Sequence, residues 1–245
     1  MADRDPEGYQ AGILSLPEET VMQVRTATHP ARFPTAPFAS LPDKAEKVPA
    51  GIQMAFGPGE ELFGEGDEVD FFYEVVSGAI RSYKLLSDGR RQIDAFHLPG
   101  DILGIEAGSE HRFSAEAIGN VAVIAYRRSR LAALIQEDPA FRDKIMTATL
   151  RSLERAYDHM LLLGRKAAQE KMATFLLDMA QRLSRDDETI ELPMTRSDIA
   201  DHLGLTIETV SRTLSHFARS GLIRLLPAGR SIGLCNKLAL RKLDA

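Results

Sequence analysis

The sequence predicts an α+β chain: an antiparallel β-barrel or sandwich, then a long helix, then a helical hairpin closed by a β-ribbon. Three observations carry that expectation. Glycines punctuate short apolar stretches from Gly51 to Tyr126. Glycine is then absent until Gly164, while apolar residues recur with a helical period. Finally, two helix-period segments flank Gly204, followed by two short apolar runs around Pro227-Ala228-Gly229. Short runs broken by glycine turns are the pattern of antiparallel strands, and a 3–4 spacing is that of an amphipathic helix.

The bounds are ordinary. A chain of 245 residues, 44% hydrophobic and 27% charged, suits one large domain or two smaller ones with a buried core. The single cysteine, Cys235, cannot form an internal disulfide or a cysteine-only metal site, which suggests a reducing setting. No apolar run reaches membrane-spanning length, and the start, Met1 to Gly8, has no signal-peptide character. A cytoplasmic protein with no membrane partner is expected.

Residues 1–48 form the first expected segment. Proline follows His29, Phe33, Ala36, Leu41 and Val48, and each residue before a proline is pushed away from helix. An arm, extended or disordered, is expected, with one short helix near Pro17–Arg25. Residues 49–136 form the second. Its strands are expected at Phe72–Val76, Ala79–Leu86, Gln92–Leu98 and Val121–Tyr126, with turns at Ser77-Gly78, Asp88-Gly89, Pro99-Gly100 and Gly119-Asn120.

Residues 137–164 form the third, a helix starting near Pro139 and stopping at Gly164. Met146, Thr149, Leu153, Ala156, Met160 and Leu163 step by three and four, a heptad-like stripe flanked by Arg151, Glu154, Arg155 and Asp158. The stripe reads as a homodimer seam; the alternative is a helix packed on its own barrel.

Residues 165–245 form the last segment. A second amphipathic helix is expected from Lys166 to Ser184, then an acidic loop at Asp186–Glu188. Thr195 is placed to cap the next helix, with Asp198 three residues on. Ile199, Ala200 and Leu203 supply its buried face, and the small Ala200 permits a close crossing. Gly204 marks a sharp turn, and Thr206 caps a helix burying Val210, Leu214 and Phe217. This is helix-turn-helix spacing. In such a unit the start of the second helix enters the DNA major groove, which leaves Ile207, Glu208, Ser211 and Arg212 outward.

The chemistry of these residues suits base reading. Arg212 can donate bidentately to guanine, Glu208 can accept from cytosine N4, and Ile207 can meet a thymine methyl. One turn apart, Glu208 can also brace Arg212. The alternative is a generic helical hairpin carrying a surface ion pair. Thr206, Thr195, Arg196, Ser215 and Arg230 complete the expected DNA-binding set. The two runs from Gly221 to Leu234 read as the wing of a winged helix. From Leu205 to Leu243 there are seven basic residues and one acidic, within a chain of net charge −5, an electrostatic footprint that fits DNA.

On these motifs the chain resembles the cyclic-AMP receptor protein/FNR superfamily of transcription regulators, within it the FixK-type branch. The resemblance runs from about Phe56 to Leu240. It rests on the glycine ladder Gly59…Gly66, Tyr73…Gly78, Asp88-Gly89 and Leu98…Gly104, and on Asp198 to Gly204 and Glu208-x-x-Ser211-Arg212. It implies homodimers with an N-terminal β-roll, that is, a double-stranded β-helix like that of cyclic-nucleotide-binding domains. A long dimerisation helix and a C-terminal winged helix-turn-helix follow.

The resemblance also implies a role in microaerobic or nitrogen-fixation control. Glu208, Ser211 and Arg212 would read a TTGA…TCAA palindrome. The loop from Ser87 to Gln92 would be a possible RNA polymerase contact, a plain hairpin turn being the alternative.

The departures point away from an effector. Where cyclic-AMP binders carry adjacent Gly-Glu and Arg-Ser pairs, this chain has Gly104-Ile105-Glu106 and Arg112-Phe113-Ser114. Residues 1–234 hold no cysteine, which excludes the iron–sulfur cluster of oxygen-sensing relatives. A haem would need an axial ligand such as His29, His97 or His111; each reads equally as an ordinary histidine. No cofactor and no metal is expected. Cys235, just past the wing, is a candidate redox switch or else a small apolar residue at a strand end. Two competing classes, a nucleotide-binding subunit without DNA function and an enzyme, lack an intact phosphate cassette and a catalytic fingerprint respectively.

Overall fold

The computed structural model describes residues 51–183, 189–226 and 230–244. The expected arm, the acidic loop at 186–188 and the Pro227–Gly229 turn lie outside the described residues.

Eight strands form two four-stranded antiparallel sheets. They are β1 (Ile52–Phe56), β2 (Glu61–Phe63), β3 (Phe71–Ser77), β4 (Ile80–Leu85), β5 (Arg91–His97), β6 (Ile102–Leu103), β7 (Ser114–Ala117) and β8 (Val121–Arg127). One sheet is ordered β1-β8-β3-β6 and the other β2-β7-β4-β5. Alternation puts Val121, Val123 and Ala125 of β8 inward against Val75, Ile80 and Phe63, as a half-buried strand requires. Gly78 turns β3 into β4 at φ +83°, and a Cβ there would lie 2.4 Å from the Asn120 carbonyl oxygen, so only glycine fits.

A 3-10 turn at Arg128–Arg130 and a short helix α1 (Leu131–Glu137) lead to α2 (Pro139–Arg165). Asp138 caps α2 by accepting from the Ala140 and Phe141 backbone N–H groups, and Pro139 occupies the first turn, where a missing N–H costs nothing. At 27 residues, α2 spans about 40 Å. Gly164 lies within its last turn rather than ending it. Phe141 packs against Tyr126 and Phe72, which anchors the start of α2 to the roll.

The C-terminal part comprises α3 (Ala168–Leu183), β9 (Thr189–Glu191), α4 (Arg196–Leu203), α5 (Ile207–Arg219), β10 (Ile223–Leu225), β11 (Ser231–Leu234) and α6 (Lys237–Asp244). The wing strands pair as expected, and β9 adds a third strand in the order β10-β11-β9. Met172, Phe175, Leu176 and Met179 of α3 are buried with Ile199, Leu203, Val210, Leu214 and Phe217. Ile93 and Phe96 of β5 belong to this same cluster. The reader is therefore packed directly on the outer side of the roll.

Candidate nucleic-acid interface

The interface is built from local chemistry. Thr195 accepts from the Asp198 backbone N–H at 3.1 Å, and Asp198 Oδ2 accepts from the Thr195 N–H at 3.0 Å. This is a reciprocal capping box. Gly204 ends α4 at φ +60°, a left-handed conformation that glycine adopts without penalty. Thr206 then caps α5 by accepting from the Thr209 N–H. Val210, Leu214 and Phe217 face inward, so Ile207, Glu208, Arg212, Ser215, His216 and Arg219 are exposed on α5.

Glu208, Arg212, Ser215 and Arg219 lie at steps of four, three and four, one stripe along the helix. Sequence reasoning missed Arg219; its seven-residue spacing from Arg212 was the available signal. The Glu208 carboxyl is held below the usual carboxylate range, chiefly by its own backbone N–H at the helix start and then by the Thr206 hydroxyl, with only a small pull from Arg212. The helix terminus and the Thr206 hydroxyl thus act on the carboxylate beside the attraction of Arg212, and both side chains are exposed.

Arg196, half-buried, donates to the Ser211 hydroxyl at 3.4 Å, which ties α4 to α5. The Ser215 hydroxyl donates back to the Ser211 carbonyl. Thr195, Thr206 and Arg230 are exposed. Arg230 sits just before β11, where its carbonyl accepts from the Leu192 N–H. Cys235 is exposed just after the end of β11.

On α2 the exposed apolar face is centred one position from the expected stripe. Met146, Leu150, Leu153, Tyr157, Met160 and Leu161 are exposed, with Met160 at 62% and Leu150 at 53%. The positions 146, 150, 153, 157 and 160 keep the 3.5-residue period of a two-helix seam. Thr149 and Ala156 flank that face. Leu163, half-buried, packs against the chain's own core, its Cδ2 lying 3.3 Å from where a Gly204 Cβ would be.

The roll holds a cavity of about 160 Å³ beside α2, lined by Phe63, Asp94, His97, Glu106, Phe113 and Ser152 among others. Its charged lining is acidic, with Asp94 and Glu106 and no lysine or arginine. Arg112 reaches Glu106 through its backbone N–H and does not line the cavity. An anionic phosphate would meet two carboxylates in the lining, with the Arg112 charge acting on Asp94 from outside it, an arrangement that disfavours a cyclic nucleotide there. His97 is held by the Ser82 hydroxyl at 3.0 Å and His111 stacks on Phe63. His29 lies outside the described residues.

A roll of this topology joined through a long helix to a winged helix-turn-helix defines a transcription regulator that binds DNA. Comparison with known proteins agrees. Residues 53–138 match the cyclic nucleotide-binding domain family and residues 170–243 the Crp-like helix-turn-helix domain family. The chain is 45% identical over 199 residues to the nitrogen fixation regulation protein FixK of Azorhizobium caulinodans, covering 80% of each chain. Over 185 residues it is 46% identical to FixK of Bradyrhizobium diazoefficiens, covering 74% of this chain and 78% of that one. The solved structure of FixK2 from Bradyrhizobium japonicum superposes with a TM-score of 0.74 at 48% identity, covering 80% of this chain and 98% of that one. The chain belongs to the CRP/FNR family of transcription regulators, and its similarity is to the FixK-type branch. It is a DNA-binding regulator and not an enzyme.

Proposed function

We propose that the protein acts as a homodimer on a TTGA…TCAA-type palindrome, without a bound small-molecule effector, in nitrogen-fixation or microaerobic control in the cytoplasm. The observation that carries the reading is the free stripe on α5: Glu208 and Arg212 are exposed at the end of the helix that a helix-turn-helix lays in the major groove. Arg212 reads guanine, Glu208 accepts from an exocyclic amine, and Arg219, Thr195, Arg196 and Arg230 meet the backbone. A two-fold dimer through the apolar face of α2 supplies two readers for two half-sites.

Effector independence rests on the acidic lining of the roll cavity. RNA polymerase is the second macromolecular partner. Among the described residues no helix is long and apolar enough to cross a membrane. Titrating a labelled palindromic duplex at several salt concentrations, with and without cyclic AMP, tests the reading. Sequence-dependent affinity unchanged by cyclic AMP is expected. Binding equal on scrambled DNA, or seen only with the nucleotide, would contradict it.

A further inference from the structure

The turn between β4 and β5 is polar and exposed, yet Arg91, the first residue of β5 after it, does not point to solvent. Arg91 donates through Nε to Asp201 at 2.9 Å and through Nη2 to Asp198 at 2.6 Å. Arg81, on β4, donates to the same Asp198 oxygen at 3.1 Å and to Glu116 at 2.6 Å. Asp198 is 2% exposed, and its other oxygen closes the α4 capping box. One carboxylate thus starts the first helix of the reader and receives two arginines from the roll.

Neighbouring bonds extend the contact. Gln92 donates to the His202 carbonyl at 3.3 Å, and the His202 ring meets the Ile93 carbonyl at 3.2 Å.

These bonds fix an angle. An arginine fork held by carboxylates is directional in a way that apolar packing is not. Here Arg91 holds Asp198 and Asp201 of α4, and Arg81 bridges Asp198 to Glu116 of the roll. α4 in turn carries α5 through the Gly204 turn and the Arg196–Ser211 bond. We infer that Arg81 and Arg91 are positioning residues for DNA recognition: they hold the reader in one orientation on the roll, so that no ligand is needed to set it. This rests on the DNA-reading role of α5 proposed above.

The charges give a discriminating test. Asp201→Asn makes the protein less negative, which by general electrostatics tightens binding to DNA; the latch predicts the reverse. The variants are Arg91→Gln, Arg81→Gln with Arg91→Gln, Asp201→Asn, Arg91→Gln with Asp201→Asn, and Arg91→Lys. Two quantities are read on the full chain. One is amide hydrogen exchange without DNA. The other is affinity for a duplex that the unsubstituted protein selects from a random pool, alongside random DNA.

In the glutamine and asparagine variants, exchange in α4 is expected to rise on the order of tenfold, while β3 and β8 stay protected, which shows the roll intact. Specific affinity falls by a similar factor, and affinity for random DNA does not fall in Asp201→Asn. The losses in the Arg91–Asp201 pair are less than additive, and Arg91→Lys recovers part of the affinity. Unchanged exchange in α4 would overturn the latch, and so would specific affinity that holds or rises once α4 is freed. If the unsubstituted protein selects no sequence, the DNA-reading proposal fails instead, and the exchange data still decide whether the arginines hold α4.

Discussion

Arg212 is the exposed arginine of α5 nearest the helix start. It stands one turn from Glu208, exposed on α5, and the helix terminus acts on the Glu208 carboxylate more strongly than Arg212 does. Arg212→Ala is expected to cost about 1–3 kcal/mol in operator affinity and to relax discrimination at its guanine. Titration against operators altered at that base pair checks this; equal losses on specific and random DNA would make Arg212 a phosphate contact instead. Asp198 teaches a related lesson. Its spacing from Thr195 made the capping box legible, but nothing local announced Arg81 and Arg91, more than a hundred residues away in the chain.

The elements divide by what made them visible. The helix-turn-helix was legible almost residue by residue, because caps, a left-handed glycine and a 3.6-residue period all act within a few positions. The four longest apolar strands, β3, β4, β5 and β8, were legible for the same reason. β2, β6, β7 and β9 have two to four residues each, too short for alternation to register, and exist because a partner strand pairs with them. β1 is longer but carries Gln53 and mixed burial. The helices α1 and α6 have seven and eight residues and depend on packing more than on propensity.

On α2 the helix itself was evident, but which of two overlapping stripes faces out was not. Leu150 and Leu163 are both apolar, and only the core around Gly204 decides that Leu163 turns in. The element-scale prediction follows from the observed face. Leu150→Glu with Met160→Glu puts four charges into a two-fold seam and is expected to give a folded monomer, with dimer dissociation strengthened at least a hundredfold, on the order of 3 kcal/mol or more. Sedimentation velocity reads the outcome; an unaltered dimer would place the seam elsewhere.

At the scale of the whole molecule, the roll and the reader share a core and a pair of half-buried histidines, His97 and His202. Burial pushes His97 down to about 4 and His202 to about 3, against an unfolded value near 6.5. Below that unfolded value the unfolded chain binds protons that the folded chain refuses. Stability is therefore fully present above about pH 6.5 and is lost as pH falls towards about 4. Asp94, raised by burial, titrates in the opposite sense. Thermal unfolding from pH 7.5 to 4.5 is expected to show a falling Tm with uptake of about two protons near pH 5, and His202→Gln should flatten the slope. A Tm that rises on acidification would contradict the half-buried, neutral histidines.

In the proposed complex, two subunits lay the helices beginning at Thr206 into successive major grooves of one duplex with no ligand aboard. Hydroxyl-radical footprinting of protein purified without additives, on a duplex carrying the palindrome, addresses it directly. The expected result is a two-fold symmetric pattern centred on the palindrome, with half-site protections spaced by roughly one helical turn, about 10 base pairs. A one-sided footprint, or protection that appears only after a cyclic nucleotide is added, would contradict it.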